Sequence, residues 1–291
     1  MSVIKVEELS FVYGEGTSFR KTALDSVSFE IEQGEFLGII GHTGSGKSTL
    51  VQLLNGLLRP SGGKVYLNGS DIWAKPKKIR EVRFRVGMVF QYPEYQLFEE
   101  TVYKDIAFGP KNMGLTDPEI DERVHKAAVF TGLDEKLLKR SPFDLSGGEK
   151  RRAAIAGVIA MDPDVLILDE PAAGLDPLGR DELLTQIKEY HKKRKNTVVL
   201  VSHSMEDIAR ITDRILVLDS GKRVMLDTAE RVFTHGRELE KTGLRVPQIT
   251  KIMMLLKERG VPVNTGVLTV EQGYEEILSL VRGSAKGTGE D

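Results

Sequence analysis

The sequence predicts an α/β fold whose parallel core sheet carries a phosphate-binding loop, and three observations predict it. Gly41-His42-Thr43-Gly44-Ser45-Gly46-Lys47-Ser48-Thr49 stands directly between the apolar runs Phe36–Ile40 and Leu50–Leu54, the strand-loop-helix context of a P-loop. Strand-length apolar runs return at Val165–Leu168 and Thr197–Val201, each followed by a helical pattern, and such alternation builds parallel sheets. Between the P-loop region and these runs, Glu94 to Gly157 reads as helical and turn-rich, so the sheet is expected to be interrupted by a helical insertion at about 92–160.

Short β-type runs open the chain at Val3–Leu9 and Val27–Ile31, and Lys64–Leu67 ends at an Asn68-Gly69 turn. Helices are predicted over Thr101–Ala107, Pro118–Thr131 and Glu149–Ala160, then to about His191 and again through Ile211. Arg214–Asp219 and Lys222–Leu226 flank Ser220-Gly221 and read as a closing hairpin. The chain divides at about residue 235. Residues 236–291 change character: Ile249, Ile252, Met253, Leu255 and Leu256 recur at helical spacing, and Thr269 is placed to cap a second helix through Val281. That tail reads either as a small docking element or as padding of the main core, with disorder expected from about residue 283, where Gly and Ser accumulate.

A chain of 291 residues with 40% hydrophobic content has enough apolar surface for a large core. Its 41 basic and 43 acidic residues nearly cancel, so no global field points to nucleic acid as a partner. The absence of cysteine excludes disulfides and thiolate chemistry. Met1–Leu9 mixes charges into an alternating strand pattern and reads as no signal peptide; nor does any run of eighteen uncharged apolar residues occur. Work at a membrane would need other chains to span it.

The P-loop glycines let successive backbone N–H groups turn toward one point, and the following helix adds its positive end, so a polyphosphate fits there. Lys47 is placed to reach β- and γ-phosphates and the Ser48 hydroxyl to hold Mg²⁺, while His42 occupies a variable position of the loop. Val165–Leu168 followed by Asp169-Glu170 puts two carboxylates at the mouth of a parallel strand, where open α/β sheets bind ligands. Asp169 suits Mg²⁺, and Glu170 suits proton abstraction from a water attacking the γ-phosphate. Leu145-Ser146-Gly147-Gly148-Glu149 opens a helix with a hydroxyl and unhindered N–H groups, a second phosphate-binding end.

The order of these motifs, with Ser146-Gly147-Gly148 about a hundred residues after the P-loop and about twenty before Asp169, resembles the nucleotide-binding subunits of ABC transporters over at least residues 3–235. The resemblance implies a P-loop NTPase fold with a RecA-like core sheet, an N-terminal antiparallel β subdomain and a helical signature subdomain, using ATP and Mg²⁺. It implies that Tyr13 stacks on adenine, that Gln91 touches Mg²⁺ and the attacking water, that Asp176 belongs to the D-loop and that His203 stands beside the γ-phosphate. It also implies head-to-tail pairing, in which Ser146, Gly147 and Gly148 contact the nucleotide on the partner's P-loop. Glu149 departs from the glutamine that is commoner in the family.

Phe90–Phe98, Thr101-Val102 and Asp105–Pro110 narrow the resemblance to the energy-coupling factor class of vitamin and metal importers. The residues after Tyr13, Ser141–Leu145 and the helical tail look like the second of its two ATPase subunits. That likeness implies an ATPase at the cytoplasmic face of the membrane, paired through its tail with a related ATPase or an identical copy. A membrane-embedded coupling protein would be received near Tyr95, Leu97 and Phe98, and small substrate-binding membrane proteins would act through it. A conventional ABC importer ATPase and a soluble non-transport ABC ATPase are the alternatives; ribosome-acting members usually carry two ATPase halves, and DNA-repair members insert a long coiled coil, which this sequence lacks.

Overall fold

The structure, a computed structural model, describes residues 1–286. Strands β1 (Ser2–Tyr13) and β2 (Lys21–Glu32) form a long antiparallel hairpin, and β3 (Phe36–Ile40) leads through the P-loop into α1 (Lys47–Leu54). β4 (Gly62–Leu67) and β5 (Ser70–Asp71) return beside the hairpin, giving a four-stranded sheet of order β2-β1-β4-β5. The opening strands are longer than their apolar runs suggested, because ladder pairing continues across register shifts and carries both strands to the Gly14–Arg20 connection.

α2 (Ile79–Arg85) precedes β6 (Val86–Val89), after which α3 (Val102–Asn112), α4 (Asp117–Phe130) and α5 (Gly147–Ile159) pack on one another. The βα alternation resumes with β7 (Val165–Asp169), α6 (Pro177–Arg194), β8 (Thr197–Val201) and α7 (Met205–Ile211). β9 (Arg214–Asp219) and β10 (Lys222–Thr228) form the closing hairpin. The six-stranded core sheet has the order β10-β9-β3-β8-β7-β6, parallel except for β10.

Period-two geometry splits each core strand between two apolar layers. Leu166, Leu168, Val198 and Leu200 face the cluster shared with the helices, whereas Val165, Ile167, Val199 and Val201 face the cluster shared with α1 and the antiparallel sheet. Burial on both faces explains why these strands read as unbroken apolar runs. Register then aligns the strand ends: Val89 pairs with Leu168, Asp169 with Val201, and Val201 with Ile39. The segments that follow β3, β6, β7 and β8 therefore open at one mouth.

Three short helices and a longer one complete the described chain: α8 (Ala229–Thr234), α9 (Gly236–Lys241), α10 (Gln248–Glu258) and the longer α11 (Val270–Lys286). Met253 of α10 and Val263 and Val267 of the connecting loop form a small buried cluster of their own, against which Leu280 of α11 packs, while Met254 and Leu268 rest against the main core. Helix α11 runs through Lys286, beyond the expected onset of disorder, and the part of that expectation concerning residues 287–291 lies outside the described residues. Among the described residues no helix is long and apolar enough to cross a membrane.

Candidate nucleotide site

The P-loop wraps around its own lysine. Lys47 is only 6% exposed, and its Nζ donates to the carbonyls of Gly41 at 2.7 Å and His42 at 3.1 Å. Burial lowers its pKa from the ordinary lysine value, while Glu170 and Asp169 pull the other way. Gly46 sits at φ 103°, and a Cβ there would stand 2.5 Å from the Ala23 carbonyl oxygen, so only glycine fits where the loop enters α1. Ser45 Oγ is buried without a hydrogen-bond partner, and Thr43 and Gly44 are exposed at the loop tip. A cradle with a buried cation and an unspent hydroxyl is suited to an anion.

Across the mouth, Asp169 ends β7 at 6% exposure; burial raises its pKa, against the opposing pull of the Ser48 hydroxyl and Lys47. Glu170 adopts φ 52°, a left-handed conformation uncommon for a non-glycine residue, held by its N–H bond to the Val201 carbonyl at 3.0 Å. Burial pushes the Glu170 carboxyl up to about 7, with the His203 backbone N–H opposing and the Asp169 charge adding. A carboxylate poised near neutrality can take and return a proton. His203 Nε2 stands 3.4 Å from Glu170 Oε1, which has no hydrogen-bond partner. The His203 pKa is lowered, first by burial and then by Lys47, which favours a neutral imidazole.

Tyr13 ends β1 beside the P-loop helix, with its hydroxyl 3.1 Å from Thr49 Oγ1 and its ring edge-on to Phe11 at 4.8 Å. Gln91 is exposed at the end of β6, on the same side of the sheet as Asp169. His42 is more than a variable loop position: its ring nitrogens lie 2.7 Å from the Thr43 carbonyl and 2.8 Å from Asp219 Oδ1, tying the loop to the turn after β9.

Ser146, Gly147 and Gly148 occupy the N-terminus of α5, where Ser146 and Glu149 form a capping box. The Glu149 carboxylate accepts from the Ser146 N–H at 2.8 Å and from its hydroxyl at 2.7 Å, which holds its pKa below the usual carboxylate range. Gly148 shares a cavity of about 280 Å³ with Arg152, Leu175 and Asp176, and Asp176 caps α6 by accepting from the Gly179 N–H at 2.8 Å. The P-loop, Asp169, Glu170 and His203 thus converge at one mouth, whereas Ser146–Gly148 and Asp176 gather at another surface.

The family model described as ABC transporter matches residues 24–173. The Energy-coupling factor transporter ATP-binding protein EcfA2 of Caldanaerobacter subterraneus subsp. tengcongensis is 57% identical over 97% of this chain and 98% of its own length. The chain belongs to the ABC transporter ATP-binding proteins. Among solved structures, cbiO1 of Clostridium perfringens, described as part of the ABC transporter complex cbiONQ, is similar at 39% identity and TM-score 0.74, over 87% of this chain and 99% of that one. The ATP-binding cassette MJ0796, solved as a dimer in a post-hydrolysis state with ADP and Pi, is 25% identical with TM-score 0.70, over 78% of this chain and 98% of that one. This ABC ATPase has the P-loop fold expected from its sequence.

Two features of the ABC ATPase escaped sequence reasoning. The His42–Asp219 contact joins residues 177 apart, and Arg151 pairs with Glu94 across 57 residues. Neither leaves a local pattern: Arg151 stands in the charged run Glu149-Lys150-Arg151-Arg152, and nothing in that run marks it as the buried member.

Proposed function

We propose that this ABC ATPase binds MgATP at the mouth formed by the P-loop and the end of β7, and hydrolyses it to drive an energy-coupling factor importer of vitamins or other micronutrients. The observation that carries this reading is the facing of buried Lys47 by buried Asp169 and half-buried Glu170, with His203 3.4 Å from the Glu170 oxygen that has no hydrogen-bond partner. In the bound state the N–H groups of Gly41–Thr49 cradle the phosphates, Lys47 leaves its loop carbonyls for the β- and γ-phosphates, and the Tyr13 ring, held at Thr49, supports the adenine. The Ser48 hydroxyl, Asp169 and Gln91 supply oxygen ligands suited to Mg²⁺, which neutralises phosphate charge when bound.

Glu170 orients a water and accepts its proton at Oε1 as the water oxygen bonds to the γ-phosphorus and the bond to the β–γ bridging oxygen breaks. His203, neutral, donates toward the γ-phosphate. Ser146, Gly147 and Gly148 present the N-terminus of α5 to the nucleotide of a second ATPase subunit, with Asp176 alongside; the dimeric state of the cassette MJ0796 supports such pairing. The exposed stripe Val270, Tyr274, Ile277 and Val281 on α11 repeats at helical spacing and supports a further contact between the two ATPases.

The membrane-embedded partner is received at the turn after β6. Tyr95 and Phe98 are exposed there, while Leu97 turns partly inward and lines, with Phe84, Phe108 and Met161, a cavity of about 330 Å³. On this reading the subunit works peripherally at the cytoplasmic face, acting through its partner on small substrate-binding membrane proteins and on no nucleic acid. Affinity capture of tagged Glu170→Gln protein from its host, in mild detergent with MgATP, tests the assembly. Recovery of a second ABC ATPase and one integral membrane protein shared by several small membrane proteins is expected; a dedicated permease pair, or ribosomes, overturns the importer class.

A further inference from the structure

Arg151 lies inside α5 with its side chain only 4% exposed, and each of its guanidinium nitrogens is engaged. Nε donates to Glu94 Oε2 at 3.0 Å and Nη2 to Glu94 Oε1 at 2.7 Å, a bidentate pair. Nη1 donates to the carbonyls of Ala173 at 2.7 Å and Pro171 at 3.3 Å. Glu94 belongs to the single 3₁₀ turn Pro93–Gln96 just past Gln91, and Pro171 to Ala173 directly follow Glu170. The Ala173 N–H in turn donates to the Glu170 carbonyl at 3.1 Å, so the loop that Arg151 grips folds back on Glu170 itself. One planar cation thereby joins the Gln91 segment, the helix that begins with Ser146 and the loop after β7.

The Glu94 turn is held at its other end as well. Asp105 on α3 accepts from the N–H groups of Phe98 at 3.2 Å and Glu99 at 3.1 Å. Between the two ties stand Tyr95, 83% exposed, and Phe98, 57% exposed. A load on those rings has few places to go except into the turn and its Glu94 carboxylate. A buried ion pair is a poor device for stability alone, since its desolvation cost offsets most of its attraction; what a bidentate fork adds is fixed relative geometry.

We propose that Arg151 is a positioning residue for hydrolysis, transmitting the placement of the Glu94 turn beneath Tyr95 and Phe98 to the loop that carries Glu170. The proposal rests on the reading of Glu170 as the base. Coupling through such a fork is tested by perturbing both of its ends.

Full-length protein in its assembled complex is compared as wild type, Arg151→Lys, Glu94→Gln, Glu94→Asp, the double variant Glu94→Gln with Arg151→Lys, and Glu170→Gln. Arg151→Lys keeps the charge and loses the fork. Arg151→Lys and Glu94→Gln are each expected to lower kcat for MgATP about tenfold or more, the scale of a misplaced catalytic group, with KM for ATP within about twofold of wild type. Glu94→Asp recovers part of the loss, and the double variant is no slower than the worse single, as coupled residues require. Backbone amide exchange should rise at 172–175 and stay unchanged in the P-loop. Wild-type turnover in Arg151→Lys and Glu94→Gln overturns the proposal, as does a parallel rise in KM with a loss of thermal stability, which marks a merely structural pair. Should Glu170→Gln hydrolyse normally, the assignment of the base fails instead, and amide exchange at 172–175 still decides whether Arg151 sets that loop.

Discussion

The mouth at the ends of β3, β7 and β8 and the N-terminal end of α5 are both built to meet phosphate, yet they differ in completeness. At the mouth, a buried cation, a buried and a half-buried carboxylate and an imidazole come together within one chain, and the strained Glu170 backbone is held by Val201. At the start of α5, Ser146 and Gly147 are exposed, and a Cβ on Gly147 would meet nothing within 4 Å. The first is a finished half of a site and the second a surface that lacks its ligand in the same chain. On the function proposed above, two surfaces from separate chains close on one nucleotide, which makes motion inseparable from chemistry.

The sharpest way to break this contrast is Glu170→Gln. Turnover is expected to fall about 10² to 10⁴-fold, the usual range for losing a general base, with ATP affinity retained. Steady-state hydrolysis alongside calorimetric ATP binding checks it, and wild-type turnover removes Glu170 from the chemistry. Lys47→Ala attacks the same region through binding. Loss of a charge-assisted contact worth about 1.5 to 3 kcal/mol predicts roughly a 10- to 150-fold weaker ATP dissociation constant, measurable on the chain alone. Ser146→Ala should do the reverse: the chain's own ATP affinity stays within about twofold, while hydrolysis by the assembled pair drops about tenfold. Equal effects of Lys47→Ala and Ser146→Ala on binding by the isolated chain would erase the distinction between the two regions.

Much of the mouth is legible in sequence because its parts are local: an apolar strand, a loop and a helix occur in succession, and Asp169-Glu170 directly follow another apolar strand. Helices α10 and α11 are legible for the same reason, since their apolar spacing is set within each helix. What is hidden depends on register and packing. Alignment of β7 with β8 brings His203 to Glu170, and burial then moves the Glu170 carboxyl toward neutrality, which no local pattern encodes. The Arg151–Glu94 pair depends on packing of α5 against the turn after β6. Helices α2, α8 and α9 are also hidden: at seven, six and six residues they are too short for an apolar stripe to stand out.

The smallest expected effect is the most discriminating, because its two readouts should move in opposite directions. Glu149 accepts both the N–H and the O–H of Ser146, and an ionised carboxylate can do nothing but accept. The Ser146 proton is therefore directed inward, and a negative charge stands beside the surface meant for phosphate. In Glu149→Gln the amide oxygen keeps the N–H bond of the capping box, while its NH₂ donates to Ser146 Oγ and frees that proton for a partner's nucleotide. Loss of the favourable charge at the helix N-terminus costs about 0.3 to 1 kcal/mol, so the melting temperature should fall by about 1 to 4 °C at pH 7. Because the Glu149 carboxyl is held below the usual range, the wild-type advantage is present above the unfolded carboxylate pKa and fades as pH falls through the lower folded value. Hydrolysis by the assembled pair should rise by about two- to fivefold, the same charge effect acting with opposite sign on an anionic ligand. A variant that lost both stability and turnover would mean that the capping box, rather than the freed hydroxyl, decides how this surface meets its partner.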